Sequence, residues 1–150
     1  SSVMLLAGSL LGVQLAQAAG DKIDGPEVCK ATNSCEPLSH KVVAYYFHGD
    51  ARCAGCRRIE AWSEEAIKGN FQKELDSGKL EWKVINVDEA ANEHFNDDYQ
   101  LYTKSLVIVD FQDAKQSKWK NLKDIWNYLS DKEEFSKYVS YEVGEYLKEK

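Results

Sequence analysis

Two cysteines separated by two residues, Cys53 and Cys56, are the residues of this chain whose type and spacing point most directly to chemistry. They follow a β-branched and aromatic run, Val42 to His48, and precede a helical pattern that opens at Arg57. The N-terminus of a helix carries unsatisfied N–H groups and a partial positive charge, which stabilise a thiolate. The pattern predicts a redox dithiol in which Cys53 attacks a disulfide and Cys56 resolves the mixed disulfide.

A helix start of this kind changes thiol reactivity substantially. Lowering a thiol pKa from about 8.5 to about 6.5 is worth roughly 2.7 kcal/mol and raises the thiolate fraction at pH 7 from about 3% to about 75%. Arg52, Arg57 and Arg58 flank the pair. Their positive charges act in the same direction, so the first thiol is expected to react as a thiolate.

The same cysteine spacing occurs in zinc sites and in static disulfides. A zinc site needs further ligands, and after Cys56 the sequence offers no cysteine and one histidine, His94. The strand before the pair and the helix after it favour the redox interpretation. Two alternatives stay open: a non-enzymatic protein that holds copper(I), zinc or arsenite on this dithiol, and a module with a permanent disulfide.

Two side chains are candidates for moving the proton of the dithiol. Glu60 lies four residues after Cys56 and seven after Cys53, on the same helical face, where its carboxylate can take the proton through water. His48, at the end of the strand, is the second candidate. A solvated helix carboxylate and a packing histidine are the alternative interpretations of these residues.

Length and composition indicate one globular domain, because 150 residues with 43% hydrophobic and 11% aromatic content suffice for a core. The formal net charge is −6, and no basic stripe is present. Nucleic-acid binding requires a basic surface. We therefore expect no nucleic-acid partner. Separately, we expect a monomer with no bound metal and no cofactor.

The N-terminal part of the sequence indicates export. Residues 1–20 contain an apolar run from Val3 to Val13 and the small residues of Ala16-Gln17-Ala18, which is typical of a signal peptide, or alternatively of an N-terminal anchor. Residues 21–40 form a linker with turn-forming residues and a second cysteine pair, Cys29 and Cys35. In an oxidising compartment this pair is expected to be a disulfide that staples a loop, a second redox couple, or a set of metal ligands. The expected location is periplasmic or extracytoplasmic, either soluble after cleavage or membrane-anchored.

Hydrophobic periodicity gives the order of elements in a domain spanning residues 41–150. After the first strand, a helix is predicted from the dithiol to Leu75, with a kink or division at Gly69-Asn70. There follow a strand at 80–87, a helix at 89–99, a hairpin with strands at 106–111 and 117–120, and two closing helices. Ser130 and Glu133 have the spacing of a capping box at the start of the last helix.

This order of elements around a Cys-x-x-Cys pair resembles the thioredoxin-like superfamily over about three quarters of the chain. The resemblance implies an α/β fold with three layers, α/β/α, and a central mixed sheet of about four strands. More narrowly, the chain is similar to a bacterial family labelled as a nitrophenyl compound nitroreductase subunit and linked by name to arsenic resistance. The stretches that carry this likeness are Tyr46-Phe47-His48-Gly49, Arg52-Cys53, Cys56-Arg57-Arg58-Ile59-Glu60-Ala61, Tyr99-Gln100-Leu101-Tyr102 and Trp119-Lys120-Asn121-Leu122. No G-x-G-x-x-G segment follows a strand, so neither a flavin or nicotinamide cofactor nor nitroreduction is inferred.

Four departures from thioredoxins concern the site. The dipeptide inside the motif is Ala54-Gly55, Arg52 stands where a tryptophan is usual, and the position of the buried aspartate falls on Phe47. Lys104 occupies the place of the cis-proline. Because a non-proline cis bond costs about 2.5–4 kcal/mol, the Thr103–Lys104 bond is expected to be trans.

The resemblance also implies how partners meet the dithiol. The backbone of Thr103, beside Lys104, is the expected substrate-docking edge, and Lys104 supplies a cation near the thiolate or is a plain exposed lysine. Alternatively, loss of the proline ring leaves both sulfurs open to a soft metal or to arsenite. The implied partners are a protein or small-molecule disulfide or dithiol, and a membrane thiol–disulfide electron transporter.

Overall fold

Four strands form one mixed sheet in residues 39–148, the residues that the computed structural model describes. The strands are β1 (His40–His48), β2 (Leu80–Asn86), β3 (Ser105–Gln112) and β4 (Lys115–Asn121), in the spatial order β2-β1-β3-β4. β1 is parallel to β2 and antiparallel to β3, and β3 is antiparallel to β4. The predicted leader segment and the Cys29 and Cys35 pair lie outside the described residues.

The two central strands are buried on both faces. Along β1, Val42, Ala44 and Tyr46 belong to one hydrophobic cluster, whereas Phe47 belongs to a second cluster on the opposite face. This division follows from the period of two in a strand, where successive side chains point to opposite faces. The continuous apolar run seen in the sequence is therefore a strand that supplies two separate cores.

Two long helices cover the first face: α1 (Ala54–Asn70) and α4 (Lys132–Lys148). Ile59 and Ile67 of α1 and Val139 and Val143 of α4 are fully buried there. A short helix, α2 (Gln72–Asp76), continues after a break at residue 71, which confirms the predicted division. None of the helices in residues 39–148 is long and apolar enough to cross a membrane.

The second face of the sheet is covered by less helix than the sequence predicts. The prediction of a helix over residues 89–99 is mostly wrong, since in this segment only α3 (Phe95–Asp98) is helical. The preceding residues form turns with bonds between residues three apart, such as Asn92 N to the Glu89 carbonyl at 2.8 Å. The Asn92 side chain also donates to the Asn86 carbonyl, and such local bonds compete with helix formation. The three-layer α/β/α class is confirmed, with α3 and packed aromatic rings as the third layer.

The C-terminal half begins with the predicted hairpin, which the structure confirms. Its turn residues Asp113 and Ala114 have φ values of 50° and 62°, in the left-handed region that a tight two-residue turn requires. The first closing helix is a 3-10 helix, Lys123–Tyr128, instead of an α-helix. At the start of α4 the capping residue is Asp131, whose carboxylate accepts from the backbone N–H groups of Glu133 and Glu134. The predicted capping box at Ser130 is therefore wrong, because the cap lies one residue later.

Candidate active site

The dithiol occupies the first turn of α1. Cys53 is the N-cap residue with extended backbone angles, and its Sγ accepts a hydrogen bond from the Cys56 amide at 3.0 Å. The Cys53 carbonyl accepts from the Arg57 amide, so the helix begins within the dithiol motif, which confirms the predicted helix start at the dithiol. A disulfide joins Cys53 to Cys56, whose Cα atoms are 5.0 Å apart. That separation lies within the range for a disulfide, so the turn holds both sulfurs in bonding position.

The two sulfurs differ in accessibility. Cys53 is exposed, whereas Cys56 is only 2% exposed beneath the helix start. Thiol–disulfide exchange requires the attacking sulfur to reach its partner, and the resolving sulfur needs to reach only its neighbour. The geometry therefore permits an external partner at Cys53 and excludes one at Cys56.

Tyr46 supports the dithiol from below. Its hydroxyl donates to the Cys56 carbonyl at 2.6 Å, and its side chain is fully buried. Burial raises the pKa of Tyr46 to about 12, and the positive charge of Arg52 acts against that rise. The phenol therefore stays protonated near neutral pH and ties the first turn of α1 to β1. Sequence reasoning missed this residue, although the alternation that places it with Ala44 was a usable signal.

The side chain of Phe47 lies on the other face of the sheet. It is 1% exposed and packs with Tyr99 in the second cluster, away from the helix that carries the dithiol. No carboxylate takes the place of the thioredoxin aspartate at this position. Any protein group that moves a proton here has to come from elsewhere.

Glu60 forms an ion pair with Arg52, the residue directly before Cys53. The two side chains are 24% and 26% exposed, so the pair is mostly shielded from solvent. It fastens the chain that enters the helix to the second turn of that helix. The carboxylate therefore has a structural partner, and its role as proton acceptor stays a prediction.

In residues 39–148, the contacts of His48 lead to the dithiol only through Tyr46. Its Nδ1 lies 2.9 Å from the Gly49 carbonyl oxygen, to which it can only donate. Its ring lies 6.1 Å from the ring of Tyr46, which in turn contacts Cys56. A proton-transfer role for His48 stays a prediction, and it would have to use the other ring nitrogen.

The loop expected to dock substrates lies next to the dithiol turn through Trp126. The Trp126 indole donates to the Lys104 carbonyl at 3.2 Å. A Cβ atom on Gly55 would lie 3.6 Å from the same indole, so the ring lies beside both segments. Sequence reasoning did not single out Trp126 as a site residue. The Thr103–Lys104 bond is trans, and the Thr103 carbonyl accepts from Ser105 Oγ at 2.9 Å.

Metal ligation finds no further support in residues 39–148, where no group of three or more His, Cys, Asp and Glu side chains is placed to hold an ion. The second cysteine pair lies outside that range. The sulfur chemistry of the described residues is that of Cys53 and Cys56.

A mixed sheet ordered β2-β1-β3-β4, with a disulfide-linked Cys-x-x-Cys at the start of the helix after its central strand, defines a thioredoxin-like fold. Among solved structures, the chain is similar to a thioredoxin from Fasciola hepatica, with 17% identity, a TM-score of 0.39, and 67% of this chain and 80% of that chain covered. It is also similar to oxidised thioredoxin O2 from Arabidopsis thaliana, with 14% identity, a TM-score of 0.40, and 63% and 74% covered. Oxidised thioredoxin from Plasmodium falciparum gives 17% identity, a TM-score of 0.39, and 66% and 82% covered.

No protein-family model matches the chain, and no curated protein matches it. The narrower resemblance to the nitroreductase-subunit family therefore stays a prediction. At identities of 20% or less and TM-scores of 0.40 or less, the likeness to thioredoxins leaves the chemistry to be inferred from the site itself.

Proposed function

We propose that this protein is a thiol–disulfide oxidoreductase that exchanges its Cys53–Cys56 disulfide with protein or small-molecule thiols and disulfides. One observation carries the proposal: an exposed N-cap cysteine is bonded to a buried cysteine within the first turn of a helix. This arrangement separates the sulfur that meets a partner from the sulfur that releases it. A purely structural disulfide does not need that division.

In the reducing direction, the Cys53 thiolate attacks one sulfur of a substrate disulfide. A Cys53–substrate mixed disulfide forms, and the other substrate sulfur leaves as a thiolate that takes up a proton. The Cys56 thiolate then attacks Cys53 Sγ, the Cys53–Cys56 disulfide forms, and the second substrate thiolate leaves. Two electrons pass from the dithiol to the substrate, and the reverse sequence oxidises a substrate dithiol.

Export belongs to the same proposal. Its support is the apolar segment and small-residue site in residues 3–19, which lie outside the described part of the chain. A dithiol outside the cytoplasm needs a source or a sink of electrons, for which a membrane thiol–disulfide transporter is the proposed partner. A fusion of residues 1–40 to a reporter that is active only outside the cytoplasm tests the location.

An insulin-reduction assay with dithiothreitol as electron source tests the chemistry. The protein should accelerate insulin precipitation, and Cys53→Ser should abolish the acceleration, because the accessible sulfur is lost. A variant with both Cys29 and Cys35 replaced by serine is the matched control and should retain it. Absence of turnover, combined with stoichiometric binding of copper(I) or arsenite by the reduced protein, would refute the enzyme and support the metal-binding alternative.

A further inference from the structure

Positive charge is concentrated around the exposed sulfur of a protein whose formal net charge is −6. Arg57 lies four residues after Cys53, one helical turn along the same face of α1, and is exposed. Arg58 is exposed beside it, and the first turn of the helix contains no acidic residue. Lys104 belongs to the loop that Trp126 links to the dithiol turn. Three cations therefore flank the dithiol in sequence or through Trp126, in a chain whose net charge is negative.

These cations are not neutralised by carboxylates. In the part of the chain that the structure describes, the side chains of Arg57 and Lys104 form no hydrogen bond or ion pair. Arg58 donates to the neutral Leu129 carbonyl at 3.0 Å and lies over the Trp62 ring at 5.4 Å. A guanidinium held by a carbonyl and a ring keeps its full charge, so the positive field of this surface is retained.

Three carboxylates of α1 and of the loops after β1 and β2 have partners other than Arg57, Arg58 and Lys104. Glu60 pairs with Arg52, which removes one cation and one anion together. Asp50 accepts from the Asn86 side chain at 2.8 Å, and Asp88 accepts from the Asp50 amide at 2.7 Å. Because these donors are neutral, Asp50 and Asp88 keep their negative charges. The bonds fix both acids in the loops after β1 and β2, where neither binds Arg57 or Lys104.

An exposed aromatic residue completes the surface. Tyr102 is 89% exposed, two residues before Lys104, and is the most exposed large hydrophobic side chain of residues 39–148. Arg and Tyr, together with Trp, are enriched among the side chains that supply most of the binding energy in protein interfaces. We use the name dithiol rim for Arg57 and Arg58 of α1 together with Tyr102 and Lys104 of the loop that Trp126 links to the dithiol turn.

We infer that the substrate of this dithiol is an acidic protein segment, with carboxylates next to its reacting cysteines. The inference rests on the proposed function and specifies its substrate class. Charges at a rim steer encounter and discriminate between partners, since like charges are repelled and opposite charges are attracted. At physiological salt this field reaches only about 8 Å, so the rim acts on the residues that flank the bound cysteine.

Two synthetic disulfide peptides test the inference. They share one sequence and one intramolecular disulfide, and differ only in carrying glutamate or lysine at the positions that flank the cysteines. We expect kcat/KM for the glutamate peptide to exceed that for the lysine peptide about fivefold or more at low salt, and the ratio to fall toward one at high salt. Using a ratio removes any effect of a charge change on the intrinsic reactivity of Cys53.

Charge-removing variants locate the effect. The Arg57→Gln and Lys104→Gln double variant should lower the ratio toward one. Lys73→Gln is the matched control, because Lys73 is exposed on α2, beyond the far end of the 17-residue α1, about 25 Å away. The control should keep the wild-type ratio. Turnover of both peptides at equal rates, or a preference for the lysine peptide, would overturn the acidic substrate class alone, whereas no turnover of either would overturn the proposed function with it.

Discussion

The ion pair between Arg52 and Glu60 joins the residue before Cys53 to the second turn of α1, and it should stabilise the folded domain. Both side chains are about three quarters shielded, and Oε2 of Glu60 is buried. Two unit charges about 4 Å apart at an effective dielectric constant near 20 attract by about 4 kcal/mol, from which desolvation and solvent screening subtract most. We expect a coupling energy of about 1–2 kcal/mol between the two residues.

A double-mutant cycle measures this coupling. Urea unfolding of the oxidised protein is compared for wild type, Arg52→Gln, Glu60→Gln and the double variant. Each single variant should lose about 1–2 kcal/mol, because one charge remains without its partner, and the double variant should lose little more than either. The exposed pair of Glu64 and Lys68 on the same helix is the matched control, with an expected coupling of about 0.3–0.5 kcal/mol.

Two results would contradict this reasoning. A coupling no larger than that of the control pair would show that the shielding of Arg52 and Glu60 contributes nothing. A fall of about tenfold or more in the rate of mixed-disulfide resolution in Glu60→Gln, with unchanged unfolding free energy, would assign the carboxylate to proton transfer instead.

Three further predictions concern the dithiol turn. Cys56→Ser should accumulate a covalent complex between Cys53 and a substrate on non-reducing gels, because the resolving sulfur is missing. Cys53→Ser should not accumulate it, and equal trapping by both variants would contradict the assigned roles. Lys104→Ala should move the thiolate absorbance at 240 nm to higher pH, and an unchanged titration would remove its role as a local cation. Tyr46→Phe loses the 2.6 Å bond to the Cys56 carbonyl and should cost about 1 kcal/mol of unfolding free energy, which urea titration measures; no loss would show that the bond is weak. In an alkaline titration at 295 nm, the same variant should lack one tyrosine that titrates near pH 12. Because burial raises the pKa of Tyr46, its contribution to stability is complete below pH 10 and is lost between about pH 10 and 12.

Local signals predicted most of the fold. The β-branched run of β1, the hairpin turn at Gln112–Lys115 and the divided helix after the dithiol are properties of short segments, and the structure confirms them. The prediction was wrong where an alternative local bonding pattern was available. The Asn92 side chain bonds to the backbone of residue 86, and turns replace most of the helix expected over 89–99.

By itself, the sequence determined that two thiols stand at the start of a helix after a buried strand, because that information lies within about thirty consecutive residues. Only the tertiary structure decided which sulfur is reachable, since the burial of Cys56 and its bond from Tyr46 need β1 packed against α1. It also decided that Trp126 joins the dithiol turn to the Lys104 loop, which is 22 residues away in sequence. Contacts between distant segments depend on how the elements pack, and neither spacing nor periodicity along the chain specifies them.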